Sequence, residues 1–124
     1  MILITLIASA YSFSAKAEDK IVCGYKTART YEREVRYSGG TDKFMHCTLS
    51  CIIALKCGGG QSLTIGLLKE IKDLFDDGNA EFYDIIANLK GIRFGNRMLF
   101  NGRGFYENMN TCFSKCESIY PKNN

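Results

Sequence analysis

Between residues 42 and 56 the apolar side chains Met45, Leu49, Ile52 and Ile53 recur three or four positions apart. That period gathers them on one face of an α-helix. Thr41 stands where an N-cap belongs, and Gly58-Gly59-Gly60 supplies a stop. The same period returns over 62–76 (Leu63, Leu67, Ile71, Leu74, Phe75) and over 80–90 (Phe82, Ile85, Ile86, Leu89). Asp77-Gly78-Asn79 turns the chain between these two, and Gly91 ends the second of them. A last helix over 105–119 carries Met109, Cys112, Phe113 and Cys116, after loops at 92–104 around Met98-Leu99-Phe100. Ahead of all four, residues 21–37 are rich in Tyr, Thr and Arg, and Tyr31, Arg33, Val35 and Tyr37 alternate. Strand and helix both fit there, and the alternation favours an irregular, extended arm. Short connections make sequential helices antiparallel, so the expected fold is all-α: a small antiparallel bundle of about four helices behind an N-terminal arm.

The N-terminus changes where this bundle is placed. Ile2 to Ala15 carry no charge, and Ala15-Lys16-Ala17 is the small-x-small pattern of a signal-peptidase site. Residues 1–17 therefore read as a cleaved secretory signal, too short for a spanning helix. No other run is long enough to cross a bilayer, and a secreted or periplasmic location follows. The organisation is then an arm over 18–40, a helical domain over 41–120, and a frayed tail over 121–124 after Pro121. Charge adds little. Sixteen basic and thirteen acidic residues give a net +3 and are interspersed. Even the cluster of Lys26, Arg29, Arg33 and Arg36 alternates with Glu32 and Glu34, the pattern of a solvated face rather than a nucleic-acid footprint.

The six cysteines sharpen the picture. An even count in an exported domain of about a hundred residues implies a disulfide framework. Cys47 and Cys51, and again Cys112 and Cys116, stand one helical turn apart, so each pair shares a helix face. Two antiparallel helices bearing such pairs form two rungs, Cys47–Cys116 and Cys51–Cys112. Cys23–Cys57 is left to tie the arm to the end of the first helix. A parallel arrangement would swap the rungs. Zinc would need reduced thiolates, and C-x3-C is not its usual spacing, so no metal or other cofactor is expected. His46 precedes Cys47 in sequence, but neighbours in a helix point about 100° apart, which disfavours a His–Cys catalytic pair.

The polar positions on the helices remain. Asp42, His46, Leu49 and Ile53 form one stripe, with Ser50 a turn beyond the histidine. An aspartate at position 42 could fix the imidazole tautomer. Glu70 borders the stripe of the second predicted helix, with Asp73 near it. On the third, Asp84, Ala87, Asn88 and Gly91 make a second face, small enough for a neighbouring backbone to approach and polar enough to anchor it. One account is a buried network of Asp42, His46, Glu70, Asp73, Asp84 and Asn88 that fixes helix register. The other is a site: His46 as general base among Asp42, Glu70, Asp73 and Asp84, or the same groups as an O/N metal site, which the lack of a recognised metal motif disfavours.

Asp42-Lys43-x-x-His46, Lys69-Glu70-x-x-Asp73 and Asp84-x-x-Ala87-Asn88-x-x-Gly91 together resemble the motif order of serum amyloid A proteins. The resemblance covers residues 42–91. It implies a secreted four-helix bundle that binds lipids or small apolar ligands and self-associates, with Asp42, His46, Asp84 and Asn88 at fold-determining motif positions. The cysteine framework, the Tyr/Arg-rich arm and the segment after Gly91 depart from that family. His46-Cys47-x-x-Ser50-Cys51 is also similar to segments of bacterial secreted and Rhs-type polymorphic proteins.

The leading expectation is a small exported, disulfide-stabilised binding or interaction module, for a protein partner or for a lipid or apolar ligand. The alternatives are a secreted hydrolase or toxin-like effector using His46 with nearby carboxylates, and an inhibitor or immunity partner.

Overall fold

A computed structural model describes residues 22–58 and 82–122 of the chain. Among them are four helices and no strand: α1 (22–37), α2 (Asp42–Cys57), α3 (Phe82–Met98) and α4 (Phe105–Ile119). The predicted helix over 62–76 and the signal segment over 1–17 lie outside the described residues.

Helix α2 is the axis of the fold. Thr41 Oγ1 accepts from the Phe44 N–H at 3.3 Å, and Asp42 and Lys56 place opposite charges at the matching ends of the helix dipole. At its C-terminus the Gly58 N–H donates to the Ala54 carbonyl. Ten of its sixteen residues are buried, an almost unbroken run from Phe44 to Ala54. A helix buried on nearly every side must have neighbours on nearly every side. Leu49, Ile52 and Ile53 pack with Ala28 and Val35 of α1, Ile92 of α3, and Met109 and Cys112 of α4.

Three disulfides join α1, α2 and α4, with the pairing expected from the spacing. Cys47–Cys116 and Cys51–Cys112 are the two rungs between antiparallel α2 and α4, and Cys23–Cys57 ties the start of α1 to the end of α2. Their Cα atoms stand 5.7–5.8 Å apart and no cysteine is left free. They close loops of 34, 69 and 61 residues. Each such bond typically contributes about 2–4 kcal/mol by restricting the unfolded chain.

Helix α3 runs parallel to α2. Lys43 meets Asp84, His46 meets Asn88, Cys47 meets Gly91 and Cys51 meets Gly95, both series rising together. The helix passes straight through Gly91 and Gly95 to Met98, so neither the stop at Gly91 nor the loop from residue 92 is present. The reason is packing. A Cβ at Gly91 would collide with the Cys47 carbonyl oxygen, and one at Gly95 would lie 2.6 Å from the Cys51 carbonyl oxygen. A glycine within a helix costs about 1 kcal/mol relative to alanine, and the close approach of two backbones offsets it.

The N-terminal segment is also different from expectation. Residues 22–37 are helical rather than an irregular arm. Gly24, Thr27, Ala28 and Val35 are its buried positions, with Tyr31 half-buried among them, and that spacing is helical. At the other end, the tail is packed as far as residue 122. Tyr120 joins the small cluster around Phe44 and Cys116, and Lys122 Nζ lies 5.3 Å from the centroid of the Phe44 ring.

Candidate functional site

The polar side chains converge on the α2–α3 contact. Lys43, His46 and Ser50 lie at i, i+3 and i+7 of α2, and Asp84, Asn88 and Gly91 at i, i+4 and i+7 of α3. Each set occupies one face of its helix, and the two faces meet. The glycine allows the approach that brings these short side chains within reach of each other.

Asn88 is the centre. Its Oδ1 accepts from His46 Nδ1 at 3.0 Å and from Ser50 Oγ at 3.1 Å. An amide oxygen can only accept, so this pairing assigns the imidazole proton to Nδ1. His46 and Ser50 are fully buried and Asn88 is 2% exposed. Two donors on one buried oxygen satisfy the groups that burial would otherwise leave costly. One turn towards the helix N-termini, Lys43 Nζ lies 3.2 Å from Asp84 Oδ1. That is ion-pair distance, although it falls outside hydrogen-bond geometry. The Asp84 side chain is 5% exposed and that of Lys43 32%, so the lysine spans from the interior to solvent.

The sequence-predicted set is only partly brought together. His46, Asp84 and Asn88 share the interface. Asp42 is exposed in the first turn of α2, and it is Asn88 that holds His46 Nδ1. A neutral amide on the facing helix does what was assigned to a carboxylate one turn earlier. Glu70 and Asp73 lie outside the described residues. Sequence reasoning missed Lys43 and Gly95 as members of this interface. The spacing from Lys43 to His46 and Ser50 was the available signal for the first. The spacing from Gly91 to Gly95 was the signal for the second.

The chemistry this geometry permits is narrow. A serine nucleophile needs its hydroxyl hydrogen-bonded to the imidazole that will take the proton. Here both Ser50 and His46 donate to the same amide oxygen instead. Every cysteine sulfur is in a disulfide. Among the described residues no group of three His, Cys, Asp or Glu side chains is placed to hold a metal ion. An open groove of about 690 Å³ runs between α1 and α4, past Arg33, Glu34, Tyr37, Asn110 and Phe113, and none of the predicted site residues lines it. Elsewhere on α1, burial pushes the Tyr31 phenol above its ordinary value of 10.0, with Tyr106 and Glu34 adding to the effect.

No helix among the described residues is long and apolar enough to cross a membrane. The three disulfides fit an oxidising environment. Comparison of the chain with protein-family models, with characterised proteins and with solved structures gives no match.

Proposed function

We propose that the protein is a small exported binding or interaction module, and that the His46 cluster serves its fold rather than a reaction. The observation that carries this reading is burial. His46, Ser50 and Asn88 are buried, with Asn88 of α3 bonded to both α2 side chains, so no substrate atom can reach the imidazole. A general base must come within hydrogen-bond reach of the proton it removes. Recognition is thereby left to the outer surface, while the disulfides keep a domain of this size folded outside the cell. In the same reading, the motif order resembling serum amyloid A marks residues that set helix packing, with Asp84, Asn88 and Gly91 the positions of greatest weight.

The test compares stability with activity. His46→Ala removes one buried donor and leaves a void, so its Tm is expected to fall by about 5 °C or more. Binding measured well below that Tm should be retained. A His46→Gln protein that melts like the wild type yet has lost its biological activity would overturn the reading in favour of a hydrolase.

A further inference from the structure

The turn between α3 and α4 is fastened by a network of hydrogen bonds, and it carries a phenylalanine out in the water. The Leu99 N–H donates to the Asn96 carbonyl and the Asn101 N–H to the Met98 carbonyl, each at 3.4 Å. Asn101 and the buried Asn108 exchange a reciprocal pair of amide hydrogen bonds of 2.9 and 3.2 Å. Asn101 Oδ1 also accepts from the Arg103 N–H at 3.0 Å, and Asn108 Nδ2 donates to the Met98 carbonyl at 3.3 Å. Gly102, at φ 78°, takes the left-handed conformation that this reversal needs. Within this hydrogen-bonded turn Phe100 is 96% exposed.

The surroundings of Phe100 are cationic and aromatic. Arg97 and Arg103 are exposed on either side of it in the chain. Lys56 lies at the end of α2, with its Nζ 4.8 Å from the Phe105 ring centroid. Lys26 is exposed one turn into the described part of α1, which the Cys23–Cys57 bond holds at this same end. Among the described residues Glu107 is an acid close by, 3.8 Å from Arg103. Tyr106 is 70% and Tyr25 47% exposed.

We propose that this end of the bundle docks on an anionic bilayer, with Phe100 entering the acyl boundary and the basic side chains meeting lipid phosphates. The proposal rests on the binding-module reading and commits it to a partner. It is carried by residues 97–106, outside the span of the serum amyloid A resemblance. Two features favour a lipid surface over a protein pocket. Phe100 stands 96% exposed at the tip of a turn, and the exposed apolar groups it shares this end with among the described residues, Val22, Tyr25 and Tyr106, belong to α1 and α4, whereas a protein hot spot sits within one broad, packed patch. The cations are spread over α1, α2, α3 and the turn, which suits a diffuse charge layer better than one shaped acidic site. Tyr106 and Tyr25 have the amphipathic rings that settle at headgroup depth. One ring and a few charges give reversible, salt-sensitive attachment.

The chain contains no tryptophan, so Phe100→Trp makes a single local reporter in the oxidised full chain. Its emission should shift to the blue with mixed phosphatidylcholine–phosphatidylglycerol vesicles. It should stay unshifted with phosphatidylcholine alone or in molar salt. Tyr37→Trp, 83% exposed at the opposite end, should stay unshifted with both vesicle types. In sedimentation with the mixed vesicles, Phe100→Ala should bind about tenfold more weakly than the wild type, as loss of one buried ring implies. Arg97→Gln with Arg103→Gln should weaken binding and flatten its salt dependence. Emission from the Phe100→Trp reporter that mixed vesicles leave unmoved overturns the docking face, whatever other segment binds, and points to an acidic protein partner. It leaves the binding-module reading intact, because that reading fails only on the His46 variants. An equal shift with both vesicle types overturns the anionic assignment.

Discussion

Helix α2 meets α3 and α4 through two opposite kinds of contact. Towards α3 it presents bare backbone: side chains at Gly91 and Gly95 would strike the Cys47 and Cys51 carbonyls, and Asn88 ties His46 to Ser50 at the centre. Towards α4 it is bonded covalently, by the two rungs, and padded by larger groups such as the Phe44–Phe113 ring pair, 6.2 Å between centroids. Among the described residues shape, hydrogen bonding and the Lys43–Asp84 ion pair hold the first contact, with no covalent bond across it, so each position there matters. The second has its geometry imposed by bonds and can absorb the loss of a side chain. Sensitivity to substitution should therefore concentrate at α2–α3, and sensitivity to reductant at α2–α4.

The largest effect is expected at Gly91. An alanine there puts a methyl group into the Cys47 carbonyl, and because that atom is backbone the helices must separate. Separation also breaks the Asn88 hydrogen bonds, so the loss should reach about 4 kcal/mol or more in urea unfolding, or prevent folding. Gly95→Ala, whose Cβ would lie 2.6 Å from the Cys51 carbonyl oxygen and 2.7 Å from the Ala54 Cβ, should cost less, about 1–3 kcal/mol. A Gly91→Ala protein as stable as the wild type would remove the basis of the comparison.

Next comes the covalent contact. Replacing Cys51 and Cys112 together by alanine opens a 61-residue loop and should cost about 2–4 kcal/mol. Both sulfurs lie in the main core, as do those of the other rung in its own cluster, whereas Cys23 and Cys57 are only half-buried. Mild reductant without denaturant should therefore open Cys23–Cys57 first. Alkylation and peptide mapping read the order directly. Early loss of either rung would mean that α4 is held less firmly than its burial implies.

The two contacts also differ in how far they can be read from sequence. Pairs of cysteines one turn apart constrain each other, since two helices can share two rungs in few ways, and the antiparallel course of α2 and α4 selects Cys47–Cys116 and Cys51–Cys112 over the parallel swap. The face of Asp84, Ala87, Asn88 and Gly91 was legible for a similar reason: small and polar residues at helical spacing have few uses except close contact. Its extent was not. A glycine that ends a helix and one that admits a neighbouring backbone look alike in one chain, and only the partner across the gap distinguishes them. That ambiguity cut α3 short at Gly91 and turned Gly95-Asn96 into a loop. The helix over 22–37 shows little apolar period in the sequence, because Gly24, Thr27 and Ala28 form much of its buried face. Alternation of Tyr31, Arg33, Val35 and Tyr37 was the stronger visual pattern and the weaker physical one. At His46, spacing along α2 suggested Asp42, but a turn of one helix competes with everything on the next, and Asn88 won.

Smaller effects decide whether the two contacts are independent. Asn88→Ala strands two buried donors, on His46 and Ser50, and should cost about 1–3 kcal/mol. Ser50→Ala removes one of those donors with its bond. In the double variant the serine no longer needs Asn88, so the costs should fall short of their sum by about 0.5 kcal/mol or more. Combined instead with loss of the Cys51–Cys112 rung, Asn88→Ala should be additive to within about 0.5 kcal/mol, because it shares no partner with that bond. The second cycle is the sharper one. Cys51 sits one residue after Ser50, and its carbonyl faces Gly95 while its sulfur faces α4. If α2 transmits strain from one side to the other, this short stretch carries it. A coupling above about 1 kcal/mol would then mean that the rung helps to set the backbone position against which α3 packs.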